Sequence, residues 1–164
     1  AEVNISNEPF KLFGRILVTY HDGKWDYQLK KYSSEKVTEM RFPDENYDYD
    51  AMKDSVFVWA YDGKKCIGLA ILQPGFFKYM YLSDLKVNKK YRGQHVGQKL
   101  IAKAKEIARE KGYAGLYTQG QDNNPGACLF YLKTGFYIGG MDTNVYCHTK
   151  QEGKADIIFY CDVK

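Results

Sequence analysis

The stretch from Tyr79 to Glu110 constrains the fold more than any other part of the chain. It opens with YMYLSDLKV, residues 79–87, apolar on both faces apart from Ser83, Asp84 and Lys86. A segment of that kind suits a central strand covered on both sides. Ten residues later the period changes: in Gln98–Glu110, Leu100, Ile101, Ala104, Ile107 and Ala108 share one stripe with lysines opposite, which predicts an amphipathic helix. Gly112 stops it. The next extended run, residues 114–119 (AGLYTQ), completes a strand–helix–strand unit, which must close right-handed over a sheet.

The flanking segments fill in that sheet. Residues 56–61 (VFVWAY) and 66–72 (CIGLAIL) around Asp62-Gly63 read as a hairpin, as do 11–20 and 25–32 around His21-Asp22-Gly23-Lys24. The polar stretch 33–54 reads as loop with short helix. Asn124-Pro125 opens a second helix running to Lys133, and Gly135 stops it. Two strand candidates follow, 136–147 and 155–163. The expected class is α/β, a mixed sheet built around one βαβ unit, in a single domain spanning residues 1–164. No repeat or low-complexity linker divides it.

Charge is where composition enters. The net charge of +4 argues against an obligate nucleic-acid binder. That total conceals a local +7 between Lys86 and Lys111 and a local −4 between Glu39 and Asp54. Such opposed regions suit two partners of opposite charge. No apolar window is long enough for a membrane span, and residues 1–10 carry acids rather than a signal region, so the expectation is a cytoplasmic protein without membrane attachment. The cysteines Cys66, Cys128, Cys147 and Cys161 form no C-x-x-C pair and sit among apolar or aromatic neighbours. They read as reduced, buried fillers, and no metal site is expected.

Between strand and helix lies Tyr91-Arg92-Gly93-Gln94-His95-Val96-Gly97. A glycine turn feeding a helix N-terminus is an anion site, because free N–H groups and the helix dipole converge there. Gly93 and Gly97 let a diphosphate approach the backbone, and Arg92, Lys89 and Lys90 add charge. An ordinary helix start with solvated lysines is the bland alternative. Arg-Gly-Gln-x-Val-Gly at this junction resembles the acetyl-coenzyme A diphosphate motif of the GNAT superfamily of N-acetyltransferases. Further on, Asn124-x-x-Ala127-x-x-Phe130-Tyr131 with Gly135-Phe136 resembles that superfamily's second signature. One position departs: similar proteins carry glycine where His95 stands. Gln121-Asp122-Asn123-Asn124, Cys128, Gly139, Asp142-Thr143-x-x-Tyr146, Tyr81-Leu82-x-Asp84-Leu85 and Glu8-Pro9-Phe10 are similar to streptothricin acetyltransferases over nearly the whole chain.

The resemblance implies a GNAT-like fold with a splayed strand and flanking helices. It also implies acetyl transfer from acetyl-coenzyme A to an amine by direct attack, which needs diphosphate binding, an oxyanion donor, a base for the ammonium and an acid for the thiolate. On that basis the co-substrate side comprises Leu85, Lys86 and Val87, whose backbone would pair with the pantetheine arm; the turn Arg92, Gly93, Gln94, His95, Val96, Gly97 and Gln98; and Asn124, Ala127, Phe130 and Tyr131. The Val87 N–H is the implied oxyanion donor, and Asn124 could equally cap its helix. Tyr131 is the implied general acid, since a phenol with reference pKa near ~10 can protonate a departing thiolate; packing on the core is its other reading. Asp84 is the candidate base, weighed against a structural carboxylate bonded to neighbouring backbone.

The acceptor side would comprise Asp44, Glu45, Tyr47, Asp48, Tyr81, Asp84 and Asp142. Carboxylates and aromatic faces alternating in 44–50 suit a cationic small-molecule amine, and streptothricins carry a β-lysine moiety with free amines. A solvated acidic loop explains the same run. Three readings therefore stand: a streptothricin N-acetyltransferase, an acetyltransferase for a polyamine, other amine or protein lysine, and a non-catalytic acetyl-coenzyme A-binding module. Homodimers occur among similar proteins.

Overall fold

The computed structural model describes residues 2–163. In chain order the strands are β1 (Phe10–Leu12), β2 (Gly14–His21), β3 (Lys24–Lys31), β4 (Thr38–Met40), β5 (Val56–Asp62), β6 (Lys65–Gln73), β7 (Tyr79–Val87), β8 (Gly115–Gln121), β9 (Tyr137–Asp142) and β10 (Asp156–Asp162). The helices are α1 (Val96–Glu110), following β7, and α2 (Pro125–Lys133), following β8. Short 3-10 turns lie at Ser34–Lys36, Asp50–Met52 and Lys89–Tyr91 within the connections. The chain divides into two compact units.

The first unit holds the segment before Pro9, Arg41–Tyr117 and the chain from Asp162 on. Its centre is an antiparallel meander of β5, β6 and β7, with β7 also pairing parallel to the start of β8. Pairing of β7 to β8 covers Tyr79–Tyr81 against Gly115–Tyr117, whereas pairing to β6 continues to Val87. The strand is therefore held mainly from one side, as the expected splay requires.

The two faces of β6 take different cover. Gly68, Ala70 and Leu72 alternate onto the face of α1: a Cβ added at Gly68 would lie 3.1 Å from Leu100 Cδ1 and 3.3 Å from Val96 Cγ1. Leu100, Ile101, Ala104 and Ala108 of α1 are all buried, following the stripe in the sequence. Burying a Leu or Ile fully stabilises by about 1.5–3 kcal/mol, so this stripe, rather than helix propensity, holds α1 in place. Leu69 and Ile71 point the other way, into a cluster with Val3, against which Ile5, Tyr47, Met52, Phe57 and Trp59 pack.

A β-bulge decides which face each β7 side chain takes. Leu82 pairs with Leu72 and Asp84 with Ile71, so Ser83 is an extra residue, its hydroxyl donating to the Ile71 carbonyl at 3.3 Å. Directly paired residues share a face. Leu82, Leu85 and Val87 thus follow Leu72, Ala70 and Gly68 toward α1, while Asp84 and Lys86 follow Ile71 and Leu69 to the opposite face.

The second unit holds Pro9–Met40 and Thr118–Cys161. It contains the β2–β3 hairpin, the short β1–β4 pair, α2, the end of β8, and the antiparallel pair β9–β10. Asp122, at 1% exposure, ties the unit together: its carboxylate pairs with Arg15 at 2.6 Å and accepts from the Ala155 N–H at 3.2 Å. The expected strand over 136–147 ends at Asp142, where its carboxylate accepts the N–H groups of Asn144 and Val145, both at 2.9 Å, and turns the chain. The reading of all four cysteines as buried fillers holds for Cys128 and Cys161, but Cys66 is half-buried and Cys147 is exposed. Cys147 sits in the turn that Asp142 begins, beyond the reach of any core.

Candidate active site

The glycine turn lies between β7 and α1, in the first unit. Asn88 caps the 3-10 turn Lys89–Tyr91, its side chain accepting from the Lys90 N–H at 3.1 Å. Gly93 takes φ +76°, and a Cβ there would meet nothing within 4 Å, so backbone is open to an approaching ligand. His95 takes φ +64° and ψ +13°, the left-handed conformation, which explains why glycine suits this position. Its Nδ1 lies 2.9 Å from Gln98 Oε1, an alternative to reaching across the turn. Val96, Gly97 and Gln98 form the first turn of α1, whose N–H groups lack intrahelical partners.

Arg92 is partly engaged by the protein itself. Its Nε donates to the Val87 carbonyl at 3.2 Å and an Nη lies 3.8 Å from Glu8, whose carboxylate also accepts the Lys89 N–H. Gln94 closes the turn by donating to the Lys90 carbonyl at 3.1 Å. Open glycine backbone, a helix N-terminus and a cationic rim fit a diphosphate.

The acidic cluster forms on the other face of β7, also within the first unit. Asp84 accepts from the Tyr47 hydroxyl at 3.3 Å and lies 3.4 Å from the Lys86 ammonium. Lys86, with only 9% of its side chain exposed, also pairs with Glu45 and donates to the Ile5 carbonyl at 3.2 Å. Its ammonium stands 5.9 Å from the Tyr47 ring centroid. The N-terminal segment fixes Tyr47 by reciprocal bonds: the Tyr47 N–H donates to Asn4 Oδ1 at 2.7 Å, and Asn4 Nδ2 donates back at 3.0 Å. Burial pushes the Asp84 carboxyl up from the usual range, Lys86 opposes this, and Glu45 adds to it. Burial works the same way on Glu45, but hydrogen bonds from Lys86 and Asn7 outweigh it and hold that carboxyl low. The Tyr47 phenol is pushed up by burial and then by Asp84 and Glu45, so it stays a donor.

Of the acceptor-side residues read from sequence, the structure brings together Glu45, Tyr47 and Asp84. Tyr81 lies on the same strand, stacked on Tyr117 at 4.8 Å between centroids. Asp44 is occupied elsewhere: it accepts the Asn7 N–H at 2.7 Å and pairs with Arg41 at 3.0 Å. Asp48 accepts the Asp50 N–H at 3.0 Å and shapes the turn. Asp142 caps the turn after β9. Lys86 was read only through its backbone; its side chain is the residue sequence reasoning missed, although the i, i+2 spacing from Asp84 signals a shared face.

In the second unit, Asn124 Oδ1 accepts the Ala127 N–H at 3.3 Å, so it does cap α2. Tyr131 is half-buried, its ring 5.8 Å from Phe130 and 5.4 Å from both Phe136 and Phe159. The carboxamide oxygens of Gln121 and Asn123 are buried and accept no hydrogen bond. Tyr146 donates to Asp156 at 2.6 Å, and the phenol is pushed up to about 12, first by burial and then by that bond.

The acetyltransferase (GNAT) family matches residues 19–136 of the chain. Streptothricin acetyltransferase A of Bacillus subtilis (strain 168) is 31% identical over 159 residues, 97% of this chain and 92% of that protein. Streptothricin acetyltransferase of Escherichia coli is 30% identical over 99 residues, 60% of this chain and 57% of that protein. A solved structure described as a streptothricin acetyltransferase from Bacillus anthracis str. Ames, in complex with acetyl coenzyme A, superposes with a TM-score of 0.83 at 29% identity, covering 94% of this chain and 87% of that one. Nourseothricin acetyltransferase shares the fold, with a TM-score of 0.81 at 24% identity over 99% of this chain and 91% of that one.

Proposed function

The chain belongs to the acetyltransferase (GNAT) family, and from that premise we propose that this acetyl-coenzyme A-dependent enzyme acetylates a primary amine of the β-lysine part of streptothricin in the cytoplasm. The observation that carries the acceptor class is the part-buried carboxylate cluster beside β7: Asp84 from the strand and Glu45 from the segment before β5, backed by the Tyr47 hydroxyl and ring. Carboxylates withdrawn from water recognise an ammonium strongly. Near full-length similarity to a streptothricin acetyltransferase supports the acceptor itself. No helix among the described residues is long and apolar enough to cross a membrane.

In this reading acetyl-coenzyme A supplies an activated acyl group, and the chain's own residues bind, orient and move protons. The turn Arg92–Gln98 holds the diphosphate through backbone N–H groups and the α1 N-terminus, with Arg92 supplying charge. The backbone of Leu85, Lys86 and Val87 aligns the pantetheine arm, and the Val87 N–H points to the developing oxyanion. Asn124, Ala127 and Phe130 are the further residues assigned to the co-substrate in this reading. Asp84 takes the proton from the acceptor ammonium, directly or through water, and its upward-shifted carboxyl suits a base better than an ordinary aspartate. Tyr131 gives its phenolic proton to the departing thiolate.

The test is thiol release from acetyl-coenzyme A with streptothricin, spermidine or a lysine peptide offered in turn. Rapid release with streptothricin alone is expected. Faster release with either other acceptor reassigns the substrate, and binding without release for all three marks a non-catalytic module. Tyr131→Phe is expected to lower kcat by on the order of 10²-fold or more while leaving acetyl-coenzyme A affinity nearly unchanged; an unchanged kcat removes Tyr131 from the chemistry.

A further inference from the structure

Lys86 stands where an acceptor's ammonium would be expected to bind. It projects from the same face of β7 as Asp84, two residues away, and its ammonium contacts Asp84, Glu45 and the Ile5 carbonyl beneath the Tyr47 ring. With two carboxylates and one ammonium, the cluster carries one uncompensated negative charge. At 9% exposure, the Lys86 side chain is too enclosed to swing into solvent without breaking the Ile5 and Glu45 contacts together.

We propose that Lys86 is the residue that sets the charge the acceptor must carry at this subsite: its ammonium neutralises one of the two carboxylates and leaves the pocket matched to a single acceptor ammonium. The proposal rests on the acetyl-transfer reading above. It explains why two part-buried acids can face each other, since without a cation their repulsion would force one to take up a proton. It also makes Lys86 a positioning residue for Asp84. The charged and titratable groups facing Asp84 are Lys86 from β7 itself and Glu45 and Tyr47 from the segment before β5. Removing the one cation among them leaves the Tyr47 hydrogen bond alone to favour the carboxylate, against burial and Glu45, which favour the protonated acid.

The experiment compares wild type with Lys86→Met and Lys86→Arg in the full-length chain. Butylammonium and 1,4-diaminobutane compete against the acceptor, and the Asp84 carboxyl carbon is titrated by NMR in samples labelled at aspartate. In Lys86→Met, at a pH above the raised Asp84 titration so that both acids are ionised, the amine dissociation constants read by calorimetry should shift toward the dication by on the order of tenfold. The Asp84 resonance should titrate at higher pH, with the acid limb of kcat/KM moving the same way. Lys86→Arg, which keeps the charge, should restore the wild-type preference. An unchanged mono-to-dication ratio together with an unmoved Asp84 titration overturns the proposal; Lys86→Gln replaces Lys86→Met if the latter fails to fold. The carboxyl titration and amine binding do not require turnover. Absence of thiol release from wild type would therefore refute the acetyl-transfer reading while leaving the role of Lys86 to be judged separately.

Discussion

Gly68→Ala tests the link between core packing and the co-substrate turn. The new methyl would lie 3.1 Å from Leu100 Cδ1, 3.1 Å from the Lys86 carbonyl oxygen and 3.3 Å from Val96 Cγ1. Two of these are side-chain atoms that can yield by tenths of an ångström, and Val96 is the first residue of α1. Overpacking a core site costs about 1–3 kcal/mol, against a gain of roughly 0.5–1 kcal/mol from a stiffer unfolded chain. The net expectation is a loss of about 1 kcal/mol, or a fall in Tm of roughly 2–4 °C for a chain of this size. The larger effect should be on acetyl-coenzyme A, because pushing Val96 outward displaces the α1 terminus proposed to hold the diphosphate. Isothermal titration should show weaker co-substrate binding with little change in acceptor KM. Leu100→Ala makes room for the methyl, so the double variant should be more stable than the sum of the singles predicts, by about 1 kcal/mol. Strict additivity, with unchanged co-substrate affinity, would refute the idea that α1 rests on Gly68 in the way described.

Tyr146→Phe should destabilise the chain by about 1.5–3 kcal/mol at neutral pH, because it removes the donor to the Asp156 carboxylate. Burial raises the Asp156 carboxyl and the Tyr146 bond opposes this, so without Tyr146 the folded protein protonates Asp156 more readily still. The folded state then favours the protonated acid, whose stabilisation is present below the unfolded carboxyl's pKa and lost as pH rises through the folded one. Thermal melts should therefore show the deficit at pH 7 shrinking toward pH 4; a deficit independent of pH counts against this pairing. Asp122→Asn removes the ion pair with Arg15 from a site at 1% exposure. A loss of about 1–3 kcal/mol in urea titration is expected, moderated because Arg15 can rehydrate. His95→Val places a β-branched residue at φ +64° and should cost roughly 1–2 kcal/mol in Tm-derived stability. His95→Gly should leave stability within about 1 kcal/mol, as relief of strain offsets added chain entropy.

The strand–turn–helix unit was legible because its signals are local and redundant. Of the helix stripe as read, Leu100, Ile101, Ala104 and Ala108 are buried and Ile107 is half-buried, and α1 begins two residues before the expected Gln98. Pro125, with Asn124 before it, marked α2 to the residue. The β1–β4 pair was not legible, because three-residue strands hold too few alternations to register a period. The acidic run was read as a wall of carboxylates. In the structure its members separate: Asp44 is held by Asn7 and Arg41, Asp48 shapes a turn, and only Glu45, through Lys86, and Tyr47 join Asp84. Which acids of a loop turn inward depends on distant partners, here Asn4, Asn7 and Lys86, and spacing carries no trace of them. Lys86, at the start of the basic run, has its ammonium paired with Asp84 and Glu45 rather than set beside the glycine turn.

Ser83, the extra residue of β7, bears on how this strand can change by descent. Because it is the one residue of the ladder without a counterpart on β6, its loss would let Leu82 and Asp84 keep their partners Leu72 and Ile71 in a regular ladder. Loss of Leu85 instead would be absorbed by closing the bulge, carrying Asp84 opposite Ala70 and into the apolar seam under α1. Among single-residue deletions in Leu82–Val87, only that of Ser83 leaves every residue now paired to β6 with its present partner; loss of Asp84 would put Ser83 opposite Ile71 in its place. Length variation in relatives of this strand should therefore concentrate at that one position, while the neighbouring positions vary by substitution alone.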